Sequence, residues 1–137
     1  MKTWIVDAGP IVALLSPSER QNEWAAEHAR SAPPTVLTCD AAISEACFLL
    51  KRDGQEAERV FDLIDSGFLR SEFDLHVEYR AVCDLMRRHR DLPMSFADAC
   101  LVRLAEKHPG AVIWTLDRDF HAYRQHGRQT IPLITPC

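Results

Sequence analysis

Four acidic residues stand where apolar segments begin or end. Asp7 directly follows the run Trp4-Ile5-Val6, and Asp117 lies just past Ala111 to Thr115. Asp98 falls in the first turn of an apolar helical pattern that starts at Ser95, and Glu45 interrupts the mostly apolar stretch Ala41 to Leu50. A carboxylate set straight after a buried strand is costly, and that cost points to use. Carboxylates gathered at one place repel one another and cannot all ionise without a compensating charge. Lysine occurs only at 2, 51 and 107, none of them beside these acids in sequence. A hard divalent cation is the natural compensator, and all-oxygen ligands suit Mg²⁺ or Mn²⁺. Two such ions about 4 Å apart can activate a water and stabilise the leaving oxygen of a phosphodiester.

The elements that must position these acids follow from the pattern. Trp4 to Val6 reads as a buried strand ended by Asp7-Ala8-Gly9-Pro10, with Pro10 opening a short helix through Leu15. Ser16-Pro17-Ser18-Glu19 reads as the start of a helix to about Arg30 with Trp24 on its inner face, stopped by Pro33-Pro34. Thr35 to Thr38 is a second strand; Thr38 or Asp40 then caps a helix from Ala41 to Arg52 that Gly54 ends. Gln55 to Asp65 and Leu75 to His89 are helical, with a short strand within Phe68 to Phe73. Ser95 starts a helix closed by His108-Pro109-Gly110, Ala111 to Thr115 is a strand, Arg118 to Gln125 a short helix, and Ile131 to Ile134 a last strand. Strands alternating with helices, some of the strands continuous apolar runs, predict an α/β fold: a three-layer α/β/α sandwich around a parallel sheet of about five strands. Crossover helices in such a sheet begin where strands end. Asp7, Asp98 and Asp117 are therefore expected on one rim, where α/β proteins bind ligands, and Glu45 joins them if its helix face points that way.

Each acid also has a structural reading. Asp7 suits a turn before Gly-Pro, Glu45 a solvent-facing helix position, and Asp98 a capping box with Ser95. Asp117 and Asp119 suit a helix start, where the helix dipole favours acids. The four together, on one rim, weigh more than any one.

The 137 residues make a single domain spanning 1–137. A hydrophobic share of 47% and a charged share of 26% are those of a soluble globular chain. The longest apolar run, Ile11 to Leu15, is far below the roughly 20 residues of a membrane helix. The N-terminus lacks the form of a signal peptide, and a cytoplasmic location is expected. A net charge of −4 argues against a protein that holds nucleic acid by bulk positive potential, though not against a nuclease whose acids bind metal. The basic groups are local: Arg87, Arg88 and Arg90 around His89, and Arg118, are the candidates for RNA phosphates, and a solvated helix end is their plain alternative. The five cysteines are odd in number and form no Cys-x-x-Cys, so they read as buried thiols in a reducing compartment. No His-x-x-x-His pair suggests a zinc site.

The chain resembles the PIN domain family. Trp4-Ile5-Val6-Asp7-Ala8-Gly9-Pro10-Ile11 is similar to its opening motif, Ile43-Ser44-Glu45-Ala46 to its second, Ser95-Phe96-Ala97-Asp98-Ala99 to its third, and Trp114-Thr115-Leu116-Asp117-Arg118-Asp119-Phe120 to its fourth. Order and spacing fit along the whole chain. The resemblance implies a PIN-like fold and a Mg²⁺- or Mn²⁺-dependent endoribonuclease, most like VapC toxins of type II toxin–antitoxin pairs. It carries the metal acids onto Asp7, Glu45, Asp98 and Asp117, adds Asp119, and makes Thr115 a hydroxyl that orients a ligand or a water. It also implies one or two ions, a homodimer and a small antitoxin partner. Many members carry Ser or Asn where this chain has Gly9. Such chemistry leaves 5′-phosphate and 3′-hydroxyl ends. The rival readings are a weakly catalytic interaction module of the same fold and a DNA-directed nuclease of the same chemistry. An aspartyl phosphatase is disfavoured, since it wants a second Asp at the Gly9 position, and so is a receiver domain, since it wants a lysine at the end of a late strand and this chain has none there.

Overall fold

The computed structural model describes residues 2–136. Five parallel strands form one sheet: β1 (Trp4–Val6), β2 (Val36–Thr38), β3 (Leu69–Ser71), β4 (Val112–Trp114) and β7 (Leu133–Ile134), in the order β3-β2-β1-β4-β7. Two further short strands, β5 (Arg124–Gln125) and β6 (Gln129–Thr130), pair as an antiparallel hairpin outside it. The α/β/α architecture expected from the sequence is present. The helices are α1 (Ala8–Leu15), α2 (Asn22–Ser31), α3 (Asp40–Arg52), α4 (Arg59–Asp65), α5 (Leu75–Arg88) and α6 (Phe96–Lys107).

Alternation along the short strands divides the core into two layers. Ile5, Leu37 and Ile113, aligned in register, face one side and pack with Val82 and Leu85 of α5 and with Leu101 and Leu104 of α6. Val6, Val36, Leu69 and Trp114 face the other side and pack with Ile11 and Val12 of α1, Ala25 of α2, Leu50 of α3 and Val60 of α4. Trp24 packs into this second layer as expected, its ring centroid 6.5 Å from that of Trp114. β2 and β4 are buried throughout, which is why they read as unbroken apolar runs.

Several boundaries differ from the sequence expectation. α1 begins at Ala8, capped by Asp7, so Pro10 sits within its first turn, where a missing N–H costs little. Ser16 starts no helix. It ends α1, fully buried, with its N–H donated to Val12, and α2 begins only at Asn22, whose side chain donates to the Ala13 carbonyl at 2.7 Å. Neither Thr38 nor Asp40 caps α3: the Thr38 hydroxyl donates to the Val6 carbonyl at 2.7 Å, Asp40 is the first helical residue, and Cys39 holds the cap position without a side-chain bond. α4 is shorter than Gln55 to Asp65. Arg118 to Gln125 is a single 3-10 turn over Arg118–His121 followed by β5, and the hairpin turns through His126 at φ 50° and Gly127 at φ 83°. Of the cysteines, Cys39 and Cys100 are buried, Cys47 is partly buried and Cys83 is exposed, so the expectation of buried thiols holds for two of the described four. Cys137 lies outside the described residues.

Candidate metal centre

The chain builds β1, β2 and β3 outward in one direction, then returns to place β4 on the other side of β1. The order of strands reverses between β1 and β4. A crevice opens at such a point beyond the carboxyl ends of the strands. Val6 aligns with Trp114 across this pair, and the Asp7 N–H donates to the Trp114 carbonyl at 3.0 Å. The residues just past both strands, Asp7 on one and Thr115 to Asp117 on the other, thus come to the same level.

Asp7, Asp98 and Asp117 meet there. Each offers a carboxylate oxygen, and these oxygens all lie within 4.8 Å of one another. Asp7 and Asp98 are buried and Asp117 is partly so. Each carboxylate is held by local donors. Asp7 caps α1, with Oδ1 accepting the Ala8 N–H at 2.8 Å and Oδ2 accepting the Thr115 hydroxyl at 2.8 Å. Thr115 Oγ1 also accepts the Asp117 N–H at 2.9 Å, and Asp117 Oδ1 accepts the Asp119 N–H at 2.8 Å. Asp98 forms the expected capping box, its Oδ2 accepting the Ser95 N–H while Ser95 Oγ accepts the Asp98 N–H. Asp98 thus closes the capping box and also lies in the acid cluster.

Tyr123 went unmarked among the candidate residues drawn from the sequence. Its buried hydroxyl donates to Asp98 Oδ2 at 2.9 Å. It lies in the segment patterned as a helix, and the only available signal was an aromatic three residues after Phe120.

Among the described residues, the charges that act most on Asp7, Glu45 and Asp98 are those of other acids in the group. Burial, helped by the charges of Asp98 and Glu45, pushes the Asp7 carboxyl up to about 7 against the pull of its Thr115 and Ala8 bonds. Burial raises Asp98 above the usual carboxylate range, with Asp117 adding to it and the Ser95 and Tyr123 bonds opposing. Glu45 is exposed on α3 and is not among the three clustered oxygens. It still senses the cluster: partial loss of solvent, then the charges of Asp98 and Asp117, raise its carboxyl. Asp119 is raised by partial loss of solvent and by Asp117, with Arg118 opposing. Converging oxygen donors whose leading charge influences are one another fit a hard divalent cation.

The basic end of α5 connects to this centre through His89. Arg87, Arg88 and Arg90 are exposed, and His89 between them is buried. The His89 ring meets Tyr123 edge-on, centroids 5.6 Å apart, and Tyr123 reaches Asp98. Arg118 is exposed next to Asp117 in sequence. Gly9 lies close to Leu116, whose side chain would stand 3.2 Å from a Cβ added there.

The sequence profile of the PIN domain matches residues 4–125, and the chain belongs to the PIN domain family. Its fold is similar to that of VapC20 from Mycobacterium tuberculosis, described as a Sarcin-Ricin loop cleaving toxin, with a TM-score of 0.78 and 24% identity over 88% of this chain and 94% of that one. It is also similar to PAE2754 from Pyrobaculum aerophilum, with a TM-score of 0.58 and 21% identity over 98% of this chain and 89% of that one. No curated protein matches the sequence.

Proposed function

We propose that this protein is a Mg²⁺- or Mn²⁺-dependent endoribonuclease and the toxin of a VapBC-type toxin–antitoxin pair. The observation that carries the reading is the meeting of Asp7, Asp98 and Asp117 oxygens within 4.8 Å at the switch point of a PIN fold. A toxin role is supported by the likeness of fold to VapC20, itself described as a toxin that cleaves the Sarcin-Ricin loop.

Asp7, Asp98 and Asp117 would hold one or two ions, with Glu45 facing them from α3 and Asp119 beside Asp117. Bound there, the ions supply Lewis-acid activation of a water and charge stabilisation of the leaving 3′ oxygen. Thr115 keeps Asp7 and the Asp117 backbone in register through one hydroxyl. Arg87, Arg88, Arg90 and Arg118 take phosphates of the RNA strand around the cleaved bond.

The partners are a second copy of the chain and a small antitoxin. A groove of about 360 Å³ between α1, α2 and α4, lined by Leu14, Leu15, Ala29, Leu63 and Phe68, supports an apolar partner surface. Phe48 and Phe61, more than half exposed, add to the unpartnered apolar area. Among the described residues no helix is long and apolar enough to cross a membrane, and a cytoplasmic location is part of the proposal.

The test is cleavage of a labelled single-stranded RNA and of a matching DNA by the purified chain with Mg²⁺ or Mn²⁺, beside EDTA and an Asp7→Asn, Asp98→Asn double variant. Metal-dependent cutting of RNA with 5′-phosphate ends, lost in the variant, is the expected result. Cutting of DNA alone would assign the DNA-directed reading. Products ending in 2′,3′-cyclic phosphate would overturn the mechanism, and a folded protein that neither cuts nor binds Mn²⁺ would be an interaction module.

A further inference from the structure

Two donors reach the same oxygen of Asp98. The Ser95 N–H lies 3.1 Å from Oδ2, and the Tyr123 hydroxyl lies 2.9 Å from it. The first contact belongs to the capping box and would form in any helix that starts this way. The second serves no need of the helix, because it comes from a phenol 25 residues further along the chain. That phenol is held rigidly. Tyr123 is fully buried, with Phe120 edge-on at 5.1 Å and His89 edge-on at 5.6 Å between ring centroids. His89 is fixed in turn: its Nδ1 lies 2.8 Å from the Leu85 carbonyl and its Nε2 accepts the Arg124 N–H at 3.1 Å, which makes Nδ1 the donor nitrogen of a neutral ring. The position of the Tyr123 hydroxyl is thus set by the end of α5, the 3-10 turn and the start of the hairpin together.

An aspartate side chain turns about two torsions, and a single bond at a helix start leaves the carboxylate free to swing. Two donors on one oxygen, arriving from different elements, fix its plane. We infer that Tyr123 is a positioning residue of the metal centre: its hydroxyl sets the direction in which the Asp98 carboxylate faces Asp7 and Asp117. The inference rests on the metal-centre reading proposed above. An oxygen donor already oriented gives up less freedom when an ion binds, and partners that orient ligands in this way are worth about 10- to 100-fold in metal affinity. The alternative is a phenol that merely satisfies its hydroxyl on the nearest acceptor.

Calorimetric titration of Mn²⁺ into the metal-free protein separates the two, with wild type, Tyr123→Phe, Asp98→Asn and Arg103→Ala compared. Tyr123→Phe keeps the ring and its two aromatic contacts and removes only the donor. Arg103 lies toward the far end of α6, paired with Glu78 and Glu106, so Arg103→Ala lowers the melting temperature without touching the acids. The expected result is a roughly 10-fold weaker Mn²⁺ affinity in folded Tyr123→Phe, loss of binding in Asp98→Asn, and wild-type affinity in Arg103→Ala. RNA cleavage by Tyr123→Phe should recover toward wild type at high Mn²⁺. Unchanged affinity in Tyr123→Phe overturns the inference and leaves the metal centre standing. An equal loss in Tyr123→Phe and Arg103→Ala assigns Tyr123 to stability alone and also overturns it. No saturable Mn²⁺ binding by folded wild type overturns both readings together.

Discussion

Thr115 and Asp7, 108 residues apart, are joined by a 2.8 Å hydrogen bond from Thr115 Oγ1 to Asp7 Oδ2. The same oxygen of Thr115 accepts the Asp117 N–H at 2.9 Å, so one buried hydroxyl links the ends of the two central strands. Thr115→Val keeps the shape and removes both bonds. It leaves the Asp117 N–H without its acceptor, at a cost of about 1–3 kcal/mol, and frees the Asp7 carboxylate to turn. Metal affinity should fall by about 10-fold or more, while Thr115→Ser retains most of it. Urea denaturation and Mn²⁺ titration of the two variants check this.

The metal-free protein should lose stability as pH rises. Asp7 has an ordinary value of 3.8 in the unfolded chain and one of about 7 in the fold, chiefly through burial. Between those values the native state binds more protons than the unfolded state, so the slope of stability with pH is negative there. The contribution is fully present below about pH 4 and gone above about 7. Melting temperatures in EDTA between pH 5 and pH 8 should therefore fall, and Asp7→Asn should flatten that fall. Divalent ion binds only the ionised form, so it should raise the melting temperature more at pH 8 than at pH 5.

β1 and β4 with Asp7 and Asp117 were legible because each pairs a local apolar run with a carboxylate just past it, and Asp98 because it falls in a helix-start pattern. Asp98 shows how a residue can satisfy two signals at once, for the capping box and the acid cluster use the same side chain. The start of α2 was not legible. Ser16-Pro17-Ser18-Glu19 has the residues of a helix start, yet burial of Ser16 at the end of α1 and the Asn22 bond to the Ala13 carbonyl delay the helix by a turn. These are contacts between elements, which spacing along the chain does not encode. The hairpin was missed for a related reason. The reversal at His126 and Gly127 outweighs the apolar spacing of Phe120 and Tyr123, and it is this reversal that separates Tyr123 from a plain helix face. Gly9 was a departure in sequence, and in the structure it sits in close contact with Leu116, whose side chain would stand 3.2 Å from an added Cβ.

Away from the acid cluster, Glu78 ties α5 to α6. Its carboxylate accepts from Arg103 Nε at 2.8 Å and from Lys107 Nζ at 3.0 Å. Arg103 first, then Lys107, hold its carboxyl below the usual range. The native state then binds fewer protons than the unfolded state near the ordinary glutamate value of 4.5, so this contribution is present above that value and is lost as pH falls through the depressed one. Glu78 is buried while its two partners are partly exposed, which places the pair between surface and interior ion pairs. Glu78→Gln should cost about 1–3 kcal/mol at pH 7. Urea curves should show the gap to wild type closing toward pH 3.

The proposed role of the basic end of α5 in RNA binding can be separated from the metal chemistry. Arg87 and Arg88 are exposed and directly precede His89, whose ring meets Tyr123, which in turn donates to Asp98. Among the described residues neither forms an ion pair with an acid of the cluster, and the proposed role of both is toward the substrate. Each phosphate contact released to salt contributes about 0.7 to the slope of log affinity against log salt for a single strand. Arg87→Glu with Arg88→Glu should weaken binding of single-stranded RNA, lower that slope by about 1–2, and leave Mn²⁺ affinity unchanged. Fluorescence anisotropy of a labelled RNA at several salt concentrations measures the slope, with Mn²⁺ replaced by Ca²⁺ to prevent cutting. A slope equal to that of wild type would remove Arg87 and Arg88 from the RNA path and return them to the role of a solvated helix end.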